Sequence, residues 1–554
     1  MVLWQRMLVI AGLVLLGTQT ASAHFLWLLS ERGCDSSRVK VFFGEEAEPD
    51  DPELLDRVAK AEVWANGGRR RGEPTKLSLT RGEEALEAEL SQNDAAGAVI
   101  LRHTYGAITR GGNAFLLKYY AKTYLSQLPG NWQAVKDNER LPLEIVPRLD
   151  GAVTELRVTW KGEPVANSAV SVKGPGLRSE IEGTTDESGK FRCELPQAGI
   201  YSIRARHIEA VAGEHDGEQY KEVRHYSTLT LDHLPTRLAP AEHSLPALPF
   251  GTTSFGGAIL GDSLYVYGGN YGSAHKYSNE DQSGDLWRLN LKQPKEWEQV
   301  LEGPKLQGLA MVPYKGQLYR VGGFTAMNKD GEDQDLRSQA DFARFDPAKK
   351  TWETLPSLPE ARSSHDAAIV GNTLYVVGGW NMEGGGRDTK WHDTALACNL
   401  DAEKLEWKPI AAPPFQRRAL ALAAWNGKLY CIGGMQSKGG TTTQVAIYDP
   451  QQNSWSNGPA IAGEGMDGFG SSAFACGDSL YVTTISGSIQ RLHGEGKAWE
   501  YLGQAAHPRF FHRMLPWNDE QLVLVGGASM QVGKILELEV LRLTDVKPAI
   551  AAAE

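Results

Sequence analysis

Leu374-Tyr375-Val376-Val377-Gly378-Gly379 belongs to a set of related stretches, and their recurrence decides the fold of the C-terminal half. The others are Leu264-Tyr265-Val266-Tyr267-Gly268-Gly269, Leu318-Tyr319-Arg320-Val321-Gly322-Gly323, Leu429-Tyr430-Cys431-Ile432-Gly433-Gly434 and Leu522-Val523-Leu524-Val525-Gly526-Gly527. A degenerate copy, Leu480-Tyr481-Val482-Thr483-Thr484-Ile485, lacks the glycines. Successive leading leucines stand 54, 56, 55, 51 and 42 residues apart, the period of a repeat architecture. Every copy but the last is followed by a strand-like run and a tryptophan: Trp297, Trp352, Trp407, Trp455 and Trp499. The turn before that tryptophan also repeats, as Phe345-Asp346-Pro347 and Tyr448-Asp449-Pro450.

These motifs resemble the kelch repeat over about residues 250–545. The resemblance implies a six-bladed β-propeller with four strands per blade around a channel. Paired glycines let the chain leave the crowded inner strands, and each tryptophan buries a large apolar area between blades. The chain ends soon after Leu536–Leu543, which leaves the last blade short of its outer strand. Residues near 235–245 are expected to supply it and close the ring, removing the free edges.

Some proteins of this kind are enzymes, such as galactose oxidases and sialic-acid epimerases. No separate Tyr/Cys/His constellation of the copper radical type stands out. An acidic-sugar site would draw on arginines and histidines near the channel mouth: Arg362 and His365, Arg417 and Arg418, and Arg509 and His512. Guanidinium groups suit carboxylates through bidentate pairing. Arg-x-x-His also recurs in kelch repeats as a structural element, which is the competing reading. The loops Asn270–Gln282 and Gly384–His392 are longer than a plain blade needs, and long loops on rigid scaffolds carry binding. Trp380 and Trp391 there are candidates for an aromatic platform, or for loop packing.

Residues 1–23 read as a secretory signal peptide: Arg6, an apolar run from Met7 to Gly17, then Ala21-Ser22-Ala23. The apolar run is too short to span a bilayer comfortably, so no transmembrane span is expected after cleavage. The expected location is the periplasm or the extracellular space. Cys34, Cys193, Cys398, Cys431 and Cys476 are too few and too scattered for a disulfide scaffold. The last three lie on strand-like runs and read as small buried hydrophobes.

Residues 24–148 alternate like a β-sandwich, with Asp51 and Pro52 opening a short helix. Residues 149–234 form a second β-unit. Its Gly162-Glu163-Pro164-Val165, Thr185-Asp186-Glu187-Ser188-Gly189-Lys190-Phe191 and Gly199-Ile200-Tyr201 resemble the carboxypeptidase regulatory-like, or Cna-B-like, sandwich. Residues 235–545 make the propeller and 546–554 a tail. His24-Phe25-Leu26-Trp27 and Tyr220–Leu231 resemble an exported family linked by annotation to nickel or cobalt uptake. Cleavage after Ala23 leaves His24 first, and its α-amine and imidazole together can chelate copper, nickel or cobalt. The resemblance implies that His225 approaches His24, with His103 or His207 as a third donor. The competing reading stacks His225 in a sheet.

Gly at 60 and Trp at 15 fit many tight turns and aromatic staples in an all-β chain of 554 residues. Against 57 Lys and Arg stand 68 Asp and Glu, a net charge of −11, which excludes a nucleic-acid partner. The expected function is that of an exported, non-catalytic binding protein whose propeller recognises a protein or glycan. The alternatives are an epimerase-like enzyme acting on an acidic sugar and a periplasmic metal-binding protein.

Overall fold

The computed structural model describes residues 24–543 apart from 33–36, 67–72, 91–96, 127, 128, 130, 131, 133, 151, 152, 235–237, 241–243, 386, 388 and 519. The signal-peptide reading, Cys34 and the tail therefore lie outside the described residues.

The repeats fold as expected, into six four-stranded antiparallel sheets. Blade 3 is typical, with Asp366–Val370, Thr373–Val377, Ala395–Asn399 and Lys408–Pro409 ordered from the inside out. The second strand carries the repeat motif, and its alternate residues pack on the blades to either side. Leu374 and Val376 lie in one apolar cluster and Tyr375 and Val377 in the next. The glycine doublet is required by the turn that follows. Gly378 and Gly379 have φ of 75° and 89°, and a Cβ on Gly379 would stand 2.5 Å from the Ser363 carbonyl oxygen.

Four of the five repeat tryptophans seal blade to blade through their indole N–H groups, while Trp352 packs between Tyr267 and Phe345. Trp297 Nε1 donates to Pro246 O (3.2 Å), Trp407 to Pro356 O (2.9 Å), Trp455 to Ala411 O (2.8 Å) and Trp499 to Pro459 O (2.9 Å). Blade 6 takes its outer strand from before blade 1: Leu238–Pro240 pairs antiparallel with Glu539–Leu543, Leu238 opposite Leu543. Leu238 is buried with Tyr481, Leu502, Leu541 and Leu543, so apolar burial backs the hydrogen bonds that close the ring.

The N-terminal part is three sheets in layers plus a two-stranded hairpin of Gly213–His215 and Glu218–Tyr220. A central eight-stranded sheet runs Ile181–Thr184, Ala169–Lys173, Gly199–Glu209, Glu222–His233, Asn113–Tyr124, Ala98–Arg110, Glu62–Asn66 and Thr75–Leu77. Side chains alternate across it. Val63, Leu101, Tyr119 and Ala121 pack on the sheet that contains Phe25–Arg32 and Ser37–Gly44. Trp64, Ile100, Tyr120, Tyr201 and Leu229 pack on the opposite sheet, built on Leu143–Asp150, Val153–Trp160 and Lys190–Glu194. Residues 24–148 and 149–234, expected as two separate sandwiches, share this central sheet. The join is the parallel pairing of Asn113–Tyr124 with Glu222–His233. Lys122 and Glu144, almost fully buried and 2.6 Å apart, tie the central sheet to the third layer.

Smaller expectations hold too. Pro52–Val58 is a 3-10 helix whose cap Asp51 accepts a bond from the Glu53 N–H. Tyr201 is fully buried and donates its phenol proton to Pro175 O. Cys193, Cys398, Cys431 and Cys476 are buried.

Candidate functional site

Three places carry polar chemistry: the propeller axis, the propeller end that bears the long loops, and a cavity in the N-terminal layers. At the axis, the chain enters each blade through one residue in the left-handed region. These are Ser254, Gly308, Ser364, Ala419, Gly470 and Phe511, with φ between 51° and 62°. Each donates its N–H to the carbonyl of its counterpart in a neighbouring blade, at 2.6 to 3.2 Å, and the six bonds form a closed ring. Beside the ring is a cavity of only about 60 Å³, lined by His365, His512 and Arg513 among others. Arg513 Nη1 reaches Asp366 Oδ1 at 3.1 Å, joining blade 6 to blade 3 across the axis. Asp366 Oδ2 also accepts the Leu422 N–H of blade 4 (3.0 Å). The axis is therefore braced by a charged pair between opposite blades.

The arginines named from the sequence serve the blades. Arg362 is 1% exposed, and its Nη1 donates to Gly378 O and Thr394 O, both at 2.9 Å. Arg417 Nη1 donates to Gln444 O (2.9 Å) and Gly433 O (3.4 Å). Arg509 Nη1 donates to Gly526 O and Glu537 O, both at 3.2 Å. In all three blades the guanidinium holds the first glycine of the doublet to the start of the third strand. Burial lowers the pKa of each, that of Arg362 to about 10. His365 and His512 are buried beside cationic arginines, and desolvation holds both well below the ordinary histidine value. His512 also meets the Thr483 hydroxyl. These five residues therefore support blades and offer no open carboxylate clamp, in accord with the structural reading of Arg-x-x-His.

Arg418 is different. It lies 3.9 Å from the Trp380 ring centroid and 5.7 Å from that of Trp391, with Nη2 3.0 Å from Met435 Sδ. Trp380 and Trp391 face each other across a two-residue hairpin ladder, their rings 5.4 Å apart and near perpendicular. The two tryptophans and Arg418 thus form one half-buried cluster.

The surroundings of this cluster follow from strand direction. In an antiparallel blade, the loop from strand two to strand three and the loop from strand four to the next blade emerge at the same end. Trp380 and Trp391 lie on a loop of the first kind, as do Met327 (52% exposed), Met530 (72%) and Val532 (71%). Arg418 and Met466 (38% exposed) lie on the second kind. Most of the large exposed apolar residues of the described structure thus gather at one end of the propeller. The sequence reading named the long loops but missed these residues, because exposure of a lone Met leaves no periodic signal.

The third place is a cavity of about 610 Å³ lined by residues of the central and third N-terminal layers. His225, 2% exposed, sits between two partners: Nε2 is 2.9 Å from Glu209 Oε2 and Nδ1 is 3.1 Å from the Tyr120 hydroxyl. Desolvation lowers the His225 pKa to about 4 and raises that of Tyr120, so both are neutral at pH 7. His207 is the cross-strand partner of His225, and both rings lie against Trp160, at 4.7 and 4.4 Å. His103 lines the same cavity. His24 does not join them: its Nε2 is 3.5 Å from Asp50, its ring packs near Phe43, and its carbonyl accepts the Tyr119 phenol proton. Among the described residues no group of three or more His, Cys, Asp or Glu is arranged to hold a metal ion.

Comparison with known proteins agrees with the division of the fold. Residues 308–527 match the KLHDC2/KLHL20/DRC7 Kelch-repeats domain, and residues 21–209 match a domain of unknown function, DUF4198. Kelch-like protein 35 of Mus musculus is 29% identical over 258 residues, 46% of this chain and 37% of that protein. Kelch-like protein 23 of Homo sapiens is 26% identical, over 45% of this chain and 41% of its own length. N-acetylneuraminate epimerase of Pasteurella multocida (strain Pm70) is 27% identical over 322 residues, 53% of this chain and 73% of the epimerase. The chain spans about two fifths of the length of the first curated relatives it matches. A solved structure titled "Structure of YjhT" covers 55% of this chain at 18% identity, with a TM-score of 0.45.

Proposed function

We propose that this is an exported, non-catalytic binding protein whose propeller recognises a protein partner through the end that bears the long loops. The observation that carries the reading is the gathering of exposed Met327, Met466, Met530 and Val532 with the Trp380–Trp391–Arg418 cluster at that one end. Exposed apolar residues scattered singly need no explanation, but a collected set marks an interaction surface. Met, Trp and Arg are the residue types enriched where protein surfaces meet. The leader-like residues 1–23 support export, with the periplasm or the outside as the place of action.

A second reading, an enzyme acting on an acidic sugar, draws on the relative named as an N-acetylneuraminate epimerase. Against it stand the main-chain duties of Arg362, Arg417 and Arg509 and the small axial cavity. The test is incubation of the full chain with N-acetylneuraminate, following its epimerisation by NMR. The binding reading expects the uncatalysed rate. Acceleration abolished by Arg418→Ala would establish the enzyme reading instead.

A further inference from the structure

The N-terminal cavity has a polarity that specifies a ligand. The Glu209 carboxylate faces His225 Nε2, so the neutral imidazole carries its proton on that nitrogen and presents Nδ1 as an acceptor. The Tyr120 hydroxyl must therefore donate its proton to Nδ1, and its oxygen lone pairs are left to accept from another group. Close to this pair, Lys118 is half-buried and its ammonium has no ion-pair or hydrogen-bond partner among the described residues. Lys60 at the rim is exposed, and its ammonium likewise has no such partner among the described residues. The other basic groups are engaged: Arg102 with Glu62 at 2.7 Å, and Lys161 with Glu209 at 3.8 Å.

We propose that the cavity binds a small hydroxylated carboxylate, its carboxylate held by Lys118 and Lys60 and one hydroxyl donating to the Tyr120 oxygen. Unpaired ammonium groups call for an anion, and an acceptor beside them calls for a donor on the same molecule. A plain fatty acid supplies only the first and a neutral sugar only the second. The volume of about 610 Å³ lies within the range of small-molecule sites and admits a six-carbon hydroxy acid.

The experiment is isothermal titration of the full chain with lactate, malate and gluconate, against hexanoate, glucose and inorganic phosphate. At least one hydroxy acid is expected to bind roughly tenfold more tightly than hexanoate, glucose and phosphate, the discrimination of about one hydrogen bond. Lys118→Gln should weaken that hydroxy acid by about tenfold or more. Tyr120→Phe should erase most of the preference over hexanoate while leaving hexanoate binding unchanged, which separates lost recognition from lost folding. Absence of heat from all three hydroxy acids at about 10 mM, far above the Kd of a built site, would overturn the proposal. Equal affinity for phosphate, or indifference to Lys118→Gln, would overturn it as well.

Discussion

Asp366→Ala is the perturbation that most directly probes the braced axis. Asp366 is 7% exposed and accepts three bonds: Ala367 N–H at 3.0 Å, Leu422 N–H at 3.0 Å and Arg513 Nη1 at 3.1 Å. Alanine removes all three acceptors and leaves a guanidinium beside neutral histidines. Removing one partner of a buried pair costs about 3–5 kcal/mol, because a charge stays behind uncompensated. Two features reduce that here. Arg513 is itself 21% exposed and keeps a long contact to Leu309 O. The adjacent cavity of about 60 Å³ has room for water. The expected loss is therefore about 2–4 kcal/mol.

Urea denaturation of the full chain measures this, with hydrogen exchange at the Leu422 amide as the local readout. Asp366→Leu combined with Arg513→Met should cost at least ~1 kcal/mol less than the sum of the two single changes, since the double variant strands no charge. A cost for Asp366→Ala below about 0.5 kcal/mol, the scale of an inert surface change, would refute the brace. So would strict additivity in the double variant.

Three further outcomes are expected. Leu238→Ala should destabilise the propeller by about 2–5 kcal/mol, read as an earlier urea transition, because Leu238 is buried in the strand that completes blade 6. Lys122→Met should cost about 3–5 kcal/mol by the same measurement, since Glu144 stays buried without its cation. Acid should unfold the chain early. His225 and His392 have folded pKa values lowered to about 4 from 6.5, so below pH 6.5 the unfolded state takes up protons that the native state refuses. Their stabilising contribution is complete above pH 6.5 and falls as pH drops towards 4, by about 3 kcal/mol for each. Urea midpoints measured from pH 7 to 4 check this, and His392→Gln should flatten the slope.

The propeller was legible because its signals are local. A glycine doublet at positive φ recurs in five of the six blades and a following tryptophan in five, and ring closure followed from one absent strand. The joined N-terminal sheet was not legible. It depends on Glu222–His233 lying parallel to Asn113–Tyr124, a pairing across about a hundred residues with no turn to announce it. The roles of Arg362 and Arg509 were hidden for another reason: a guanidinium aimed at a main-chain carbonyl reads the same in sequence as one aimed at a ligand. Glu209, His225 and Tyr120 come from three strands, so only their assembly shows that the phenol proton is taken and its lone pairs are free.

The recognition claim is tested most directly by a photo-crosslinking amino acid placed in the exported full chain. Met327, Trp391 and Met530 sample the end with the long loops, and Lys315 and Asn426 sample turns at the opposite end. The account predicts discrete protein adducts from the first three positions, lost with Arg418→Glu, and none from the other two. Adducts of equal yield from both ends, or none from the loop-bearing end, would contradict it.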